Sequence, residues 1–229
     1  MKAAFFDVTG TLVHEGVLRK YILFLSHHHV LPQVTLLHLM QTERKHKKHH
    51  LSELQTSQQL LHLISKGLKG FSEKTFKKIS RDFAKEAEKE TYPHTRALLN
   101  RLRKKGYRRV AVSGAFKEVV APLCSRLNID ESFGSRLDVE KGRYTGKVLL
   151  DLTQPANKKK IVEKYAKKHR VDLSESFCFG DMILDVEMMG RVGKPIALHA
   201  GPALLRACKR RHWPHWTSGK VLEKIEPLL

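Results

Sequence analysis

The sequence has few of the residues that would cross-link the chain or carry it through a membrane. Its three cysteines, Cys124, Cys178 and Cys208, are scattered and never form a CxxC pair. A disulfide framework is therefore not expected, and a reducing cytoplasm fits best. The beginning lacks the apolar core of a signal peptide, and the most apolar later stretch, 21–40, is interrupted by three histidines and a proline. We expect a soluble, cytoplasmic protein without a transmembrane segment.

Acidic residues are also scarce, since 23 Asp and Glu stand against 43 Lys and Arg in 229 residues, a formal net charge of +20. This excess favours an anionic partner, which leaves phosphorylated metabolites, nucleic acid and anionic lipid open. A basic but merely solvated surface is the alternative. No aromatic-interleaved basic motif or zinc-finger spacing occurs, so specific nucleic-acid binding is not expected. The histidines of 27–29 and 46–50 lack the cysteine or carboxylate partners of a zinc site.

What the chain does contain is an alternation of strand and helix patterns, with a long helical stretch inside it. AAFFD (3–7) reads as a short buried strand, and from about 14 to 91 Leu and Lys recur at helical spacing without strand signals. The later pattern predicts helices at 94–106, 117–129, 158–170 and 185–193, strands at 108–114, 176–181 and 194–200, and a hairpin at 136–150.

Strands that alternate with helices indicate a Rossmann-like parallel sheet covered on both faces. We therefore predict an α/β core domain made of residues 1–13 and 92–229. The helical residues 14–91 are predicted to form a cap inserted into that core. In such a sheet, ligands bind beyond the carboxyl ends of the strands, so the polar residues at those ends are the candidates for a site.

Three polar residues follow predicted strands, namely Asp7, Ser113 and Asp181. The two carboxylates suit a hard cation such as Mg²⁺. The Ser113 hydroxyl and the backbone N–H groups that follow it, beginning with Gly114, suit a phosphate group at the start of a helix. Lys158, at the start of another predicted helix, would add a positive charge. Together these groups suit phosphoryl transfer, in which a protein mainly positions groups and neutralises charge.

Four ordered motifs then make a family resemblance explicit. They are DVTGTL (7–12), VSGAF (112–116), Lys158 within NKKKI, and GDMILD (180–185). With the hairpin sequence at 136–148, they make the chain resemble the haloacid dehalogenase superfamily, specifically its phosphoserine-phosphatase-like branch. The resemblance implies a Mg²⁺-dependent phosphatase that hydrolyses a small phosphorylated metabolite.

The resemblance also implies a role for each matching residue. Asp7 would attack phosphorus and form an aspartyl-phosphate. The groups that would bind Mg²⁺ or support its shell are Asp7, the Thr9 carbonyl, Asp181 and Asp185. Those that would hold the phosphoryl group are Ser113, Gly114 and Lys158.

Thr9 is the main departure from the family pattern, which usually has aspartate at that position to protonate the leaving alcohol and activate water. A threonine hydroxyl does not exchange protons usefully near neutral pH. The cation-pumping ATPases of the superfamily also carry D-x-T-G-T, and their aspartyl-phosphate must persist. The chain is thus expected to release phosphate slowly. A phosphotransferase, or a phosphate-binding regulatory protein with weak catalysis, is the alternative.

The substrate-binding groups of the branch are also incompletely matched. Glu15 is a candidate for the glutamate that contacts the substrate shortly after the first motif. The segment 60–70 contains no arginine to bind a substrate carboxylate. Phosphoserine is therefore not expected as the substrate.

Overall fold

A seven-stranded sheet organises the protein, whose computed structural model describes all residues from 1 to 229. Its strand order is β4-β3-β2-β1-β5-β6-β7. The strands are β1 (Lys2–Phe6), β2 (Tyr107–Phe116), β3 (Glu131–Glu140), β4 (Arg143–Leu150), β5 (Phe177–Gly180), β6 (Lys194–Leu198) and β7 (His215–Trp216). All neighbours are parallel except the β3–β4 hairpin. The predicted α/β class is confirmed.

Ten helices surround the sheet. They are α1 (Val17–His27), α2 (Gln33–Lys47), α3 (Glu53–Gly67), α4 (Glu73–Lys89), α5 (Thr95–Lys104), α6 (Lys117–Arg126), α7 (Pro155–His169), α8 (Val186–Met189), α9 (Pro202–Arg211) and α10 (Val221–Ile225). The first four follow one another with no strand between them. None of the ten has the length and apolar character needed to cross a bilayer.

Both faces of the central strand are buried, which explains why AAFF shows no alternation of apolar and polar residues. Ala4 and Phe6 belong to a hydrophobic cluster on one face, which extends into α1–α4. Ala3 and Phe5 belong to the cluster on the other face, which α7, α8 and α9 cover. A strand between two such layers needs apolar side chains at every position.

The loop before α4 is hydrogen-bonded to the turn of the β3–β4 hairpin. The Gly70 N–H donates to the Tyr144 carbonyl at 2.8 Å, and the Tyr144 N–H donates to the Phe71 carbonyl at 3.0 Å. The Glu73 N–H donates to the Gly142 carbonyl at 2.9 Å. These bonds attach the end of α3 and the start of α4 to the edge of the sheet.

The chain leaves the sheet for α1 and returns from α4 at neighbouring positions. The His14 N–H donates to the Glu90 carbonyl at 2.9 Å, and the Tyr92 N–H donates to the Leu12 carbonyl at 3.2 Å. The two connecting segments therefore run side by side.

Several element bounds differ from the predicted ones. The strand expected at 108–114 continues to Phe116, because the chain stays extended through an irregularity in pairing with β3 between Val112 and Phe116. The helix expected at 158–170 begins at Pro155, a residue that suits the first helical turn. Lys158 therefore lies within the first turn instead of starting the helix. The helix expected at 185–193 is a single turn, α8, preceded by a 3₁₀ turn.

Candidate active site

The candidate site lies where the chain order of the parallel strands reverses. Phe6, the last residue of β1, pairs with Ala111 of β2 on one side and Phe179 of β5 on the other. Asp7 follows at the carboxyl end of β1, and its N–H donates to the Phe179 carbonyl at 2.9 Å. Sheets of this type form their binding crevice at such a point, because successive connections diverge to opposite faces.

Lys158 joins two of the predicted site residues. Its ammonium donates to Asp7 Oδ1 at 2.6 Å and to Asp185 Oδ1 at 2.7 Å, and all three side chains are buried. Burial alone would lower the pKa of Lys158, but Asp185 and Asp7 reverse that effect and raise the pKa above its usual value. Lys158 is thus a fixed positive charge in contact with the predicted nucleophile.

Asp181 is held from the turn that follows Asp7. Thr11 Oγ1 donates to Asp181 Oδ1 at 2.7 Å. Gly10 adopts a φ of +90°, and a Cβ at this position would lie 2.0 Å from Asp181 Oδ2. The turn therefore needs glycine for both its conformation and the close approach of the carboxylate. Burial first, and then the charges of Asp7 and Asp185, hold the pKa of Asp181 well above its usual value.

Asp185 has both carboxylate oxygens engaged. Its Oδ1 accepts from Lys158, while Oδ2 accepts the N–H groups of Asp181 at 3.1 Å and Met182 at 3.0 Å. The side chain thereby fixes the loop that follows β5 and orients the lysine. Gly180 is required here, because a Cβ would lie 2.6 Å from Asp185 Cβ.

The carboxylates of Asp7, Asp181 and Asp185 form an acidic cluster whose ligand atoms lie within 4.8 Å of one another. Three buried carboxylates face one ammonium group, so two negative charges are unmatched when all are ionised. Burial, opposed by Lys158 and reinforced by Asp185, raises the pKa of Asp7 to about 6. A divalent cation with a preference for oxygen would match that charge, so the residues fit Mg²⁺.

Ser113 lies on β2, two residues after Ala111, which pairs with Phe6 of β1, and it falls at the irregularity in the strand. Its side chain is buried, and its oxygen accepts the Ala115 N–H at 3.3 Å. The Gly114 carbonyl accepts from Ser135 Oγ at 2.7 Å, which fixes the peptide on the side of β3. Irregular strand ends of this kind aim side chains and N–H groups into binding sites.

Thr9 and Glu15 occupy less enclosed positions. Thr9 is half-buried in the turn after Asp7, where neither its hydroxyl nor its carbonyl makes a hydrogen bond within the protein. Glu15 is exposed in the turn before α1. The pKa of Tyr92 is raised by burial and then by the charges of Asp181 and Glu15, so Tyr92 lies within electrostatic reach of both.

Two contacts at the candidate site were not predicted. The Thr11 bond to Asp181 had a signal in the sequence, namely the second threonine of DVTGTL. Glu53, the first residue of α3, accepts the Ile183 N–H at 3.2 Å through Oε2. Nothing local in the sequence reveals this contact, because it joins residues 130 positions apart.

The fold and the acidic cluster define an α/β protein in which a lysine joins two carboxylates at the switch point of the sheet, the place where the strand order reverses. A family model described as haloacid dehalogenase-like hydrolase matches residues 4–190. The chain belongs to this family, and its relatives place it in the phosphoserine-phosphatase-like branch.

Among curated proteins, the chain is similar to the phosphoserine phosphatase SerB2 of Mycobacterium tuberculosis, with 31% identity over half of this chain and 28% of that protein. It is 34% identical to the phosphoserine phosphatase of Lactococcus lactis over 57% of this chain and 60% of that protein. The chain thus matches less than two thirds of the length of either relative.

Solved structures show the same fold over a larger share of the chain. A structure described as a phospho-aspartyl intermediate analogue of phosphoserine phosphatase covers all of this chain and 98% of its own, with a TM-score of 0.67 and 23% identity. A protein of unknown function from Bordetella pertussis covers 93% of this chain and 97% of its own, with a TM-score of 0.74 and 17% identity.

Proposed function

We propose that this chain is a Mg²⁺-dependent phosphomonoesterase that acts on a small phosphorylated metabolite through an aspartyl-phosphate on Asp7. The observation that carries the proposal is the buried contact between Asp7 and Lys158 at the switch point. A carboxylate held there has a fixed oxygen for attack and a fixed ammonium beside it. Membership of the hydrolase family supports the same chemistry.

In the first half-reaction, an Asp7 oxygen attacks phosphorus, and the bond from phosphorus to the ester oxygen breaks. The alcohol leaves and takes its proton from solvent, because Thr9 has no acidic proton to give. Lys158, the Ser113 hydroxyl and the Gly114 N–H hold the phosphoryl oxygens during this exchange. In the second half-reaction, water attacks the aspartyl-phosphate, and inorganic phosphate and free Asp7 are formed.

The Mg²⁺ proposal rests on the acidic cluster. Asp7, Asp181 and the Thr9 carbonyl would hold the ion, and Asp185 would act through Lys158 and the loop after β5. When bound, the ion would supply positive charge that stabilises the negative charge developing on the phosphoryl group. The carbonyl of Thr9 suits this role because no protein group donates to it.

Turnover of p-nitrophenyl phosphate with and without Mg²⁺ tests the proposal. Wild type should turn over only with Mg²⁺, and Asp7→Asn should lose activity while its circular dichroism spectrum stays near wild type. Asp82→Asn, on the exposed surface of α4, is the control and should retain activity. Turnover by Asp7→Asn at the wild-type rate would overturn the assignment of the nucleophile.

Thr9 favours a second candidate, a phosphotransferase that passes the phosphoryl group to an acceptor other than water. Without a positioned base, water is a poor acceptor, and an alcohol bound beneath the cap competes more easily. Adding small alcohols during turnover distinguishes the two, because transfer forms a new phosphate ester. If the protein binds phosphate but forms neither inorganic phosphate nor a new ester, it is a regulatory binding protein instead.

We also propose that residues 14–91 form a cap on a core made of 1–13 and 92–229. The four consecutive helices and the adjacent connecting segments support this division. Cytoplasmic residence is a further proposal, supported by three free, buried cysteines.

A further inference from the structure

The outward side of α2 is apolar in its first two turns. The helix packs on the protein through the buried Thr35, Leu39 and Thr42, with the half-buried Leu36 beside them. The opposite side carries three exposed large apolar side chains, Val34 (59% exposed), Leu37 (54%) and Met40 (66%). At 100° per residue, Leu37 points almost directly away from the buried side, with Val34 and Met40 flanking it. The helix is therefore apolar on both sides, although only one is covered.

The same outward side becomes basic in the last turn. Arg44, Lys47 and Lys48 continue the exposed side after Met40, and all three are exposed. The acidic residue of this helix, Glu43, is half-buried at the edge of the packed side. The outward side thus combines apolar anchors with three cations and carries no carboxylate.

The neighbouring helix α1 adds one further anchor. Leu23 is 60% exposed, while Tyr21, Ile22 and Leu25 face the protein. The end of α1 and the turn that follows it hold the exposed His27, His28 and His29.

We propose that the outward side of α2 docks on an anionic lipid surface. Val34, Leu37 and Met40 would enter the boundary between headgroups and acyl chains, and Arg44, Lys47 and Lys48 would contact lipid phosphates. Short apolar anchors beside cations, with no opposing charge, are what an anionic leaflet binds. A second copy of this chain fits poorly, because it would bring the same cations to a strongly basic protein. Docking of this helix on lipid does not depend on turnover at Asp7.

Sedimentation of the full chain with phosphatidylcholine vesicles, with and without phosphatidylserine, tests the proposal. Binding should require phosphatidylserine and should weaken at high salt. The variant Arg44→Gln/Lys47→Gln/Lys48→Gln should bind on the order of a hundredfold more weakly, since each cation at an anionic leaflet contributes roughly fivefold. The matched control is Lys164→Gln/Lys167→Gln/Lys168→Gln, which removes the same charge from the exposed side of α7. It should bind nearly as well as wild type.

A second pair of variants tests the contribution of the apolar side chains to vesicle binding. Leu37→Ser should weaken vesicle binding, whereas Leu149→Ser, which removes an equally exposed leucine from β4, should not. Equal losses in the two triple variants would overturn the proposal in favour of general basic attraction. Binding to polyglutamate but not to vesicles would point to an acidic protein and overturn it too. So would a concentration-dependent dimer that Leu37→Ser dissociates.

Discussion

In the proposed reaction, Thr9 occupies the position from which a carboxylate would exchange protons with the leaving group and with water. Its neighbour Asp7 keeps the features of a nucleophile, because Lys158 fixes one of its oxygens in a buried site. The two halves of the proposed reaction are therefore affected differently. Attack by Asp7 needs no proton from Thr9 when the leaving group is an aryl oxide, but release of phosphate needs an activated water.

Thr9→Asp should raise steady-state turnover of an aryl phosphate, approaching the ~10²-fold lower end of the range for general acid–base catalysis. Rapid-quench measurement with a labelled aryl phosphate should show a burst in wild type, because the aspartyl-phosphate accumulates. Thr9→Asn is the control, since it has nearly the shape of Asp without a proton to exchange. If wild type shows no burst and Thr9→Asp is no faster, the predicted slow release of phosphate is contradicted.

Asp181→Asn should weaken Mg²⁺ binding at least roughly tenfold, since even residues that only support a ligand contribute that much to metal affinity. The amide still accepts a hydrogen bond from Thr11 but brings no charge to the ion. Isothermal titration with MgCl₂ measures the affinity directly, with Asp82→Asn as the control. Unchanged affinity in Asp181→Asn would remove this residue from the metal site.

The helices and strands themselves were largely predictable, because their signals are local. Serine is a favoured residue at the start of a helix, and the Ser72 side chain accepts the Thr75 N–H at the start of α4. The hairpin predicted at 136–150 is present, and it turns at Lys141 and Gly142, both of which have positive φ. The extension of β2 to Phe116 was not predictable, because it depends on pairing with a strand that comes later in the chain.

The site was predictable to the extent that it follows strand ends. Asp7 and Asp181 meet because β1 and β5 are neighbours, and motif order indicated that arrangement. The sequence did not show that the two oxygens of Asp185 have different partners. One accepts from Lys158 and the other from the backbone, and only the folded structure determines which. The contact of Glu53 was hidden because it joins residues 130 positions apart in the sequence.

Helix α3 reaches the site through Glu53, whose carboxylate accepts the Ile183 N–H beside the acidic cluster. Glu53→Ala should increase the hydrogen-exchange rate at Ile183 severalfold, because the amide loses its only protein acceptor and the helix loses its contact with the loop. Glu53→Gln retains an acceptor oxygen and should stay close to wild type. Mass-spectrometric exchange on the peptide containing Ile183 measures both. Identical exchange in the alanine variant and wild type would show that α3 does not restrain this loop.

For the molecule as a whole, the acidic cluster makes stability depend jointly on pH and Mg²⁺. The pKa of Asp7 is raised from its usual value to about 6 in the folded protein. Its contribution to the free energy of unfolding is therefore fully present below its unfolded pKa and is lost as pH rises through about 6. Asp181, whose pKa is also raised, acts in the same direction.

Mg²⁺ should offset that loss, so its effect on the melting temperature should be larger at pH 7.5 than at pH 5. At the lower pH, protons occupy Asp7 and compete with the ion. Calorimetric melts with MgCl₂, and with NaCl at equal ionic strength as the control, measure the difference. Asp7→Asn should show a smaller Mg²⁺ effect at both values of pH. An equal Mg²⁺ shift at both values in wild type would contradict the titration of the cluster.

Because the segments that lead to α1 and from α4 are adjacent, helices α1–α4 could be removed or replaced as one unit. Because His14 bonds to Glu90 and Leu12 to Tyr92, a short peptide could bridge the gap left by excising all four helices, at little entropic cost. Topology thus makes the helices exchangeable between related chains. Packing opposes this, since Phe76 shares one hydrophobic cluster with Phe116. A transplanted replacement would fold on this sheet only if it brought its own apolar surface to cover the exposed part of that cluster.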